Sequence, residues 1–408
     1  MRNKNDSTQQ GRHRFLLGFF LDLINMFIAS VAFPGMSRAL NASVSELAWV
    51  SNGYIAGLTL VVPFSAWLTQ RCGARRLVML SLTLFSAAAL ACGLSDSLGS
   101  LIFWRALQGM GGGLLIPVGQ SLTWQLFQPH ERAKLSAAVM LVGLLAPACS
   151  PAAGGLLVET FSWRGVFLVS LPVALVTLAL ASVWLKNDDA PARSSRFLHL
   201  PLLADPLLRF AMLIYLCVPG VFIGINVVGL FYLQTITGMS PSATGALMLP
   251  WSLASFVAIS LTGRFFNRLG PRPFILFGCL LQAAGILLLT GVTPQSSMAS
   301  LVFAFILMGA GGSLCSSTAQ SCAFLNIANG DMPDASALWN INRQLSFLAG
   351  AALLSALLAV LQVYYPSTQA WHGVFIIAAC LTLIPLLGCL RLNNQAIVTR
   401  LHQKMETP

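Results

Sequence analysis

Charge is what this sequence has least of. Of 408 residues, 9% are charged and 56% are apolar, whereas a soluble domain carries about 25% charged residues. A chain of this composition has too little polar surface to cover itself in water, so lipid is its solvent. Cysteine pairing signals are also missing. The nine cysteines (72, 92, 149, 217, 279, 315, 322, 380 and 389) are scattered singly and form no CxxC. That excludes a disulfide framework or thiolate metal site and leaves small apolar residues. The five histidines, at 13, 130, 199, 372 and 402, fall in loops, ends or tails, so no imidazole sits at membrane depth to hold haem, copper or zinc. Of twelve acidic residues, Asp22 alone falls inside an apolar run. A membrane-embedded enzyme needs a nucleophile–base pair or a metal cluster at depth, and a channel needs a ring of charge or a filter. Neither finds the residues here, and no cofactor is expected.

What the sequence does have is long apolar runs. They recur at 15–37, 47–69, 75–95, 98–127, 135–158 and 163–185. After the polar stretch KNDDAPARSSRFLHLPLLADP, six more follow at 207–235, 242–265, 272–293, 297–327, 335–363 and 371–390. A helix needs ~20 such residues to cross a bilayer, so the expected fold is all-α, with twelve transmembrane helices. The polar, basic start MRNKNDSTQQGRHRF precedes an apolar run too long for a cleaved signal and reads as a cytoplasmic tail. With that tail inside, nineteen of the 23 Lys and Arg residues lie in inside segments. Only Arg38 and Arg164 lie outside, and Arg105 and Arg343 lie within spans. The net charge of +11 is thus a topology signal, the positive-inside rule, and not a nucleic-acid footprint. Both termini are expected in the cytoplasm. The segment NGDMPDAS after the tenth run should also be inside, yet it is acidic.

The chain repeats. AWLTQRCGARR at 66–76 recurs as GRFFNRLGPRP at 263–273, with Gln70, Arg71 and Gly73 matched by Asn267, Arg268 and Gly270 at an offset of 197. LQGMGGG at 107–113 recurs as LMGAGGS at 307–313, an offset of 200. Two unrelated motifs with nearly one offset indicate two six-helix pseudo-repeats, at 1–185 and 207–408, joined by a cytoplasmic linker at 186–206. Parallel repeats about an axis along the membrane normal are a transporter arrangement.

Polar residues inside the runs are the candidate machinery. Arg105, always charged, sits in FWRALQGMGGGLLIPVGQ, and a charge at that depth is a functional candidate by default. Gln108 is one turn on and faces the same way. Asp22 and, one turn later, Asn25 lie in GFFLDLINMFIASVAFPG. A buried carboxylate there can take and release a proton or attract a cation. Asp22 is nearer the inner end of its span and Arg105 nearer the outer end of its own. The second half offers Asn226, Gln234, Asn340, Asn342, Arg343 and Gln344, and Tyr54, Phe222, Tyr232 and Trp251 offer aromatic surface. Gln70, Arg71, Gly73 and Arg75 form a short basic loop with a glycine turn, suited to holding two helix ends together. Pro147 and Pro151, followed by Gly154 and Gly155, make a kinked, smooth helix able to rock against another.

These residues resemble a known family. RALQGMGG looks like the fourth-span motif of the drug:proton antiporters of the major facilitator superfamily, and APACSPAAGG followed by FSWRGVFLVSLP resembles their antiporter motif. IASVAFP and WVSNGYIAG resemble the family's spans 1 and 2, and FYLQTITGMSPSATGALMLP and ASALWNINRQLSFLAGAA are similar to the branch that usually has fourteen helices, although twelve runs are counted here. Departures are Ala66 for the usual Gly, Gln70 for the usual Asp, Ala74 for a basic residue, Ser150 for Gly, and Asn25 where an acid is usual, the acid here being Asp22. The resemblance implies the major facilitator fold and a proton-coupled antiporter in a bacterial cytoplasmic (inner) membrane. It would export small amphipathic compounds or drugs by alternating access. Asp22 and Arg105 would serve proton coupling, and Asn25, Tyr54, Gln108, Asn226, Gln234, Asn340 and Arg343 would serve substrate binding. Protons and lipid are the other partners, and by analogy of fold the chain is a monomer. A dedicated metabolite exporter or importer of the same fold is the alternative.

Overall fold

A computed structural model describes residues 32–42, 44–126, 131, 134–141, 162–184, 199–239 and 241–406. Among them no strand occurs, and nine helices are long and apolar enough to cross a membrane. These are Ala74–Gly93, Leu98–Ser121, Gly165–Ser182, Pro206–Asn226, Met248–Leu269, Pro271–Gly291, Met298–Ala323, Asn329–Tyr364 and Thr368–Arg391. Each falls on one of the twelve apolar runs. The run at 47–69 is also helical, as Val44–Val61, a 3-10 turn at Val62–Phe64 holding Pro63, and Ser65–Cys72. The runs at 15–37 and 135–158 lie mostly outside the described residues.

The side chains are distributed as lipid requires. Leu249, Leu253, Leu348 and Leu387 project outward, while Ser255, Thr262, Gln282 and Ser317 are buried. Several buried hydroxyls donate within their own helix, as in Ser81 to Leu77 O, Thr262 to Ala258 O and Thr382 to Ala378 O, while Ser255 donates to Gly309 O of another helix. That suits a solvent that offers no hydrogen bonds. Helices approach closely through glycine. A Cβ on Gly57 would strike the Ala106 carbonyl, and one on Gly109 the Tyr54 carbonyl. In the second repeat Gly309 lies on the Trp251 backbone and Gly311 on Gly278 and Gln282. The offset-200 motif thus makes the same kind of helix contact twice.

Two boundaries differ from the expected runs. The seventh is not one regular helix: Pro206–Tyr215 passes through a π turn, Leu216–Gly220, into Val221–Thr235. Pro219 within the turn supplies the cause, since it has no N–H to donate. The eleventh begins at Met332, so Asp334 belongs to its first turn and not to the preceding loop.

The described residues fall into two compact units. One takes them from 1–127, 142–200 and 328–341, the other from 128–141, 201–327 and 342–408. The first has its core around Met36, Leu47, Val50, Cys92, Trp163 and Phe167. The second has a larger core around Phe222, Tyr232, Ile286, Phe305, Met308 and Phe375. The helix Met332–Tyr364 begins in the first unit and continues in the second.

Candidate functional site

In the first unit, three helices converge on Arg105, whose exposure is 0%. Its Nε donates to the Val50 carbonyl at 3.2 Å and its Nη1 to Gln108 Oε1 at 2.9 Å. The guanidinium lies 4.4 Å from the Tyr54 ring centroid and 5.5 Å from that of Phe167. The Cys92 thiol reaches the same Gln108 oxygen at 4.0 Å. The close Gly57–Ala106 and Gly109–Tyr54 crossings bring Tyr54 within reach. Hydrogen bonds to a charged group contribute about 1.5–3 kcal/mol each, and a desolvated cation–π contact about 2. Together they hold a permanent positive charge in a fixed place and orientation, away from water.

The loop after the second span is tied down at several points. Gly73, at φ 81° and ψ 146°, ends the helix Ser65–Cys72, and its N–H reaches Thr69 O at 2.9 Å. Gly270, at φ 73°, does the same after Met248–Leu269. Both backbones favour glycine. Gln70 Nε2 donates to Asp334 Oδ2 at 2.8 Å, and the His199 backbone N–H to Asp334 Oδ1 at 3.3 Å. His199 Nδ1 also lies 3.6 Å from Asp331 Oδ1. The acidic segment after the tenth span is therefore occupied within the first unit by Gln70 and His199. Arg71 lies 5.3 Å over the Trp67 ring. Arg75 Nη2 donates to Ser182 O at 2.6 Å, close to the end of the sixth span. In the second unit Asn394 holds the matching loop, donating to Leu269 O at 2.8 Å and accepting from the Arg272 N–H at 3.0 Å.

Asn340 is buried in the first unit, donating to Gln120 Oε1 at 2.7 Å and to Ser336 O at 2.8 Å. Its own Oδ1 has no partner among the described residues. In the second unit Phe222 and Trp251 stack at 5.1 Å with planes 8° apart. Among the described residues Asn226 Nδ2 reaches the Met248 sulfur, at 3.5 Å. Gln282 donates to Val218 O, at 2.9 Å, within the π turn. Tyr232 is a core residue: its hydroxyl donates to Val292 O at 2.7 Å and its ring packs on Trp371 and Phe375. Arg343 is half-buried.

The structure thus gathers Arg105, Gln108 and Tyr54 in one place and sets Asn226 and Arg343 in the other unit. Asp22, Asn25, Pro147, Pro151, Gly154 and Gly155 lie outside the described residues, as does the side chain of Gln234. Sequence reasoning missed Asp334, His199, Gln120 and Gln282. The signal for Asp334 was present, an acid in a loop that topology required to be basic. Among the described residues no group of three or more His, Cys, Asp or Glu side chains is placed to hold a metal ion.

A family model described as Major Facilitator Superfamily matches residues 15–351. Multidrug resistance protein B homolog of Mycobacterium tuberculosis is 27% identical over 396 residues, covering 82% of this chain and 73% of that protein. Drug efflux pump JefA of the same species is 25% identical over 413 residues, covering 87% and 81%. Probable multidrug resistance protein EmrY of Escherichia coli is 36% identical over a shorter stretch of 173 residues, 42% of this chain and 34% of that one. Among solved structures, the proton:xylose symporter XylE bound to 6-bromo-6-deoxy-D-glucose matches with a TM-score of 0.73 at 14% identity, covering 95% and 96%. The human organic anion transporter MFSD10 matches at 0.72 and 16%, covering 92% and 99%. At these identities the structural likeness is one of fold.

Proposed function

This chain belongs to the Major Facilitator Superfamily, and on that premise we propose that it is a proton-coupled antiporter exporting small amphipathic compounds by alternating access. The multi-pass transporter fold is established by family and architecture. The coupling, the direction and the substrate breadth are the proposal. Relatives named for multidrug resistance and drug efflux support it, two of them along most of the chain.

The observation that carries it is the Arg105 site. A guanidinium buried at 0% exposure among aromatic rings inside an apolar helix is a costly choice for a purely structural residue. Held by Gln108, Val50 O and the Tyr54 face, Arg105 is a fixed charge that tunes the protonation of the first-span acid, Asp22. Proton and solute then use the same pathway in turn. The Gln70–Asp334 and Arg75–Ser182 contacts hold one conformation until the cycle breaks them, and the segment with Pro147, Pro151, Gly154 and Gly155 is proposed as the place where the moving parts slide. The energy source is the proton gradient, and the site is a bacterial cytoplasmic membrane with both termini inside.

Transport in proteoliposomes under an imposed pH gradient tests the proposal. Wild type should move an amphipathic dye against its gradient, and Asp22→Asn should lose gradient dependence while still folding. A mutant that keeps full gradient-driven transport would remove Asp22 from the coupling role.

A further inference from the structure

Arg343 is the one membrane-depth arginine of the described chain whose charge the protein leaves unanswered. It follows Met332, the first residue of its helix, by eleven positions, roughly 16 Å along the axis. That is deep enough that snorkelling, a device of residues near helix ends, does not serve it. Guanidinium stays protonated in proteins, and a charge within a span is costly. Such groups face a bundle interior or a water-filled path and pair with something there. Among the described residues, no carboxylate and no hydrogen-bond acceptor meets the Arg343 side chain. The other arginines noted here are answered: Arg105 by Gln108, Val50 and two rings, Arg164 by Asp96 and Gly93 O, Arg75 by Ser182 O, and Arg71 by Trp67.

The direction in which Arg343 projects follows from its helix. Ser346, Phe347 and Gly350 lie three, four and seven residues on, and so share its face. Gly220 of the seventh span packs against the backbones of Ser346 and Gly350, and Tyr215 of that span lies 5.8 Å from the Phe347 ring. Leu345 and Leu348, on the other side, are exposed to lipid. Arg343 is therefore turned toward the seventh span, close enough for its charge to act on Tyr215. Among the described residues of this unit the acids are Glu131, Asp205 and Glu406, none of them inside a span.

We propose that Arg343 is the anchor for a negatively charged group on the transported solute, so that the substrate class is organic anions with an apolar, flat body. This rests on the transporter reading above and narrows it. The guanidinium fork matches a carboxylate or sulfonate bidentately. The Tyr215 and Phe347 rings flank the anchor, and the Phe222–Trp251 stack, further along the same span, adds flat apolar surface. Trp251 Nε1 is buried and has no acceptor among the described residues. A cation at the same point meets like-charge repulsion from the guanidinium.

Calorimetric binding to the purified full chain in detergent, without a gradient, tests this. The probes are salicylate, 1-naphthoate and benzenesulfonate as anions and tetraphenylphosphonium as the cation. Wild type should bind at least one anion more tightly than the cation. Arg343→Gln, checked by an unchanged melting temperature, should weaken that anion tenfold or more. Arg343→Lys, which keeps the charge and loses the fork, should fall between, and it carries the test if the Gln variant fails to fold. No anion bound by wild type, a stronger affinity for the cation, or wild-type anion affinity in a folded Arg343 variant each overturns the proposal. Gradient-driven dye efflux without anion binding would sink the substrate class alone. Anion binding with gradient-independent transport would sink the proton-coupled reading alone.

Discussion

At the scale of the residue, an arginine in a membrane is defined by what meets it. Arg105 and Arg343 look alike in sequence, each a lone charge in an apolar run, yet their surroundings differ. Arg105 is enclosed by two acceptors and two rings, whereas Arg343 is half-buried and meets no acceptor among the described residues. Arg105→Lys should keep the charge but lose the two-direction fork and the stacking on Tyr54. The expected result is at least tenfold slower gradient-driven efflux with nearly unchanged melting in detergent. Arg105→Leu goes further, because Gln108 Oε1 and Val50 O each lose a hydrogen bond from a charged donor, at about 1.5–3 kcal/mol per bond. Its melting temperature should drop visibly. A Leu variant with wild-type efflux would show the site to be packing alone. The pairing of Arg105 with Gln108 was legible from their three-residue spacing. Tyr54 was legible only as an aromatic in another span, since which ring lies under a guanidinium depends on how two helices cross.

At the scale of the element, glycine sets how closely helices approach. Gly109→Val would push a side chain into the Tyr54 carbonyl, and Gly309→Val one into the Trp251 carbonyl. Overpacking of this kind costs about 1–3 kcal/mol or more. Both should lower the melting temperature, while Gly99→Ala, whose Cβ meets nothing within 4 Å, should leave it unmoved or slightly raised. Equal melting of all three would show that the crossings relax freely. The Gln70–Asp334 hydrogen bond belongs here too, because it ties the last turn of one helix, Ser65–Cys72, to the first turn of a distant one. Gln70→Leu should destabilise by about 1.5–3 kcal/mol, the worth of a bond to a charged group. A double-mutant cycle with Asp334→Ala should show coupling of about 0.5–3 kcal/mol, and a coupling of zero would make the contact incidental. Asp334 escaped sequence reading because its helix begins three residues earlier than the apolar run suggests, and a run of hydropathy marks the hydrocarbon layer better than it marks helix ends.

At the scale of the whole molecule, the basic loops predict an orientation that thiol labelling can check. With Cys72 and Cys380 replaced, a cysteine introduced at Arg38 should react with a membrane-impermeant reagent in intact cells. One at Arg268 should react only after permeabilisation. The opposite pattern would reverse the orientation. The offset-197 and offset-200 repeats acquire structural meaning at this scale. Gly73 and Gly270 share a positive φ, Gly109 and Gly309 share a close backbone crossing, and yet the partners differ. Asp334 and His199 hold the first loop region, and Asn394 holds the second.

Sequence alone determined the solvent, the apolar runs, the repeat and the rarity of charge at depth, because hydrophobicity and topology are summed properties of the chain and do not depend on which helix meets which. The Gln70–Asp334 bond, the ring under Arg105 and, among the described residues, the lack of an acceptor at Arg343 were decided by tertiary structure. Each is a relation between side chains that are far apart in the chain, and helix packing settles it through contacts of a few ångströms that no periodicity records.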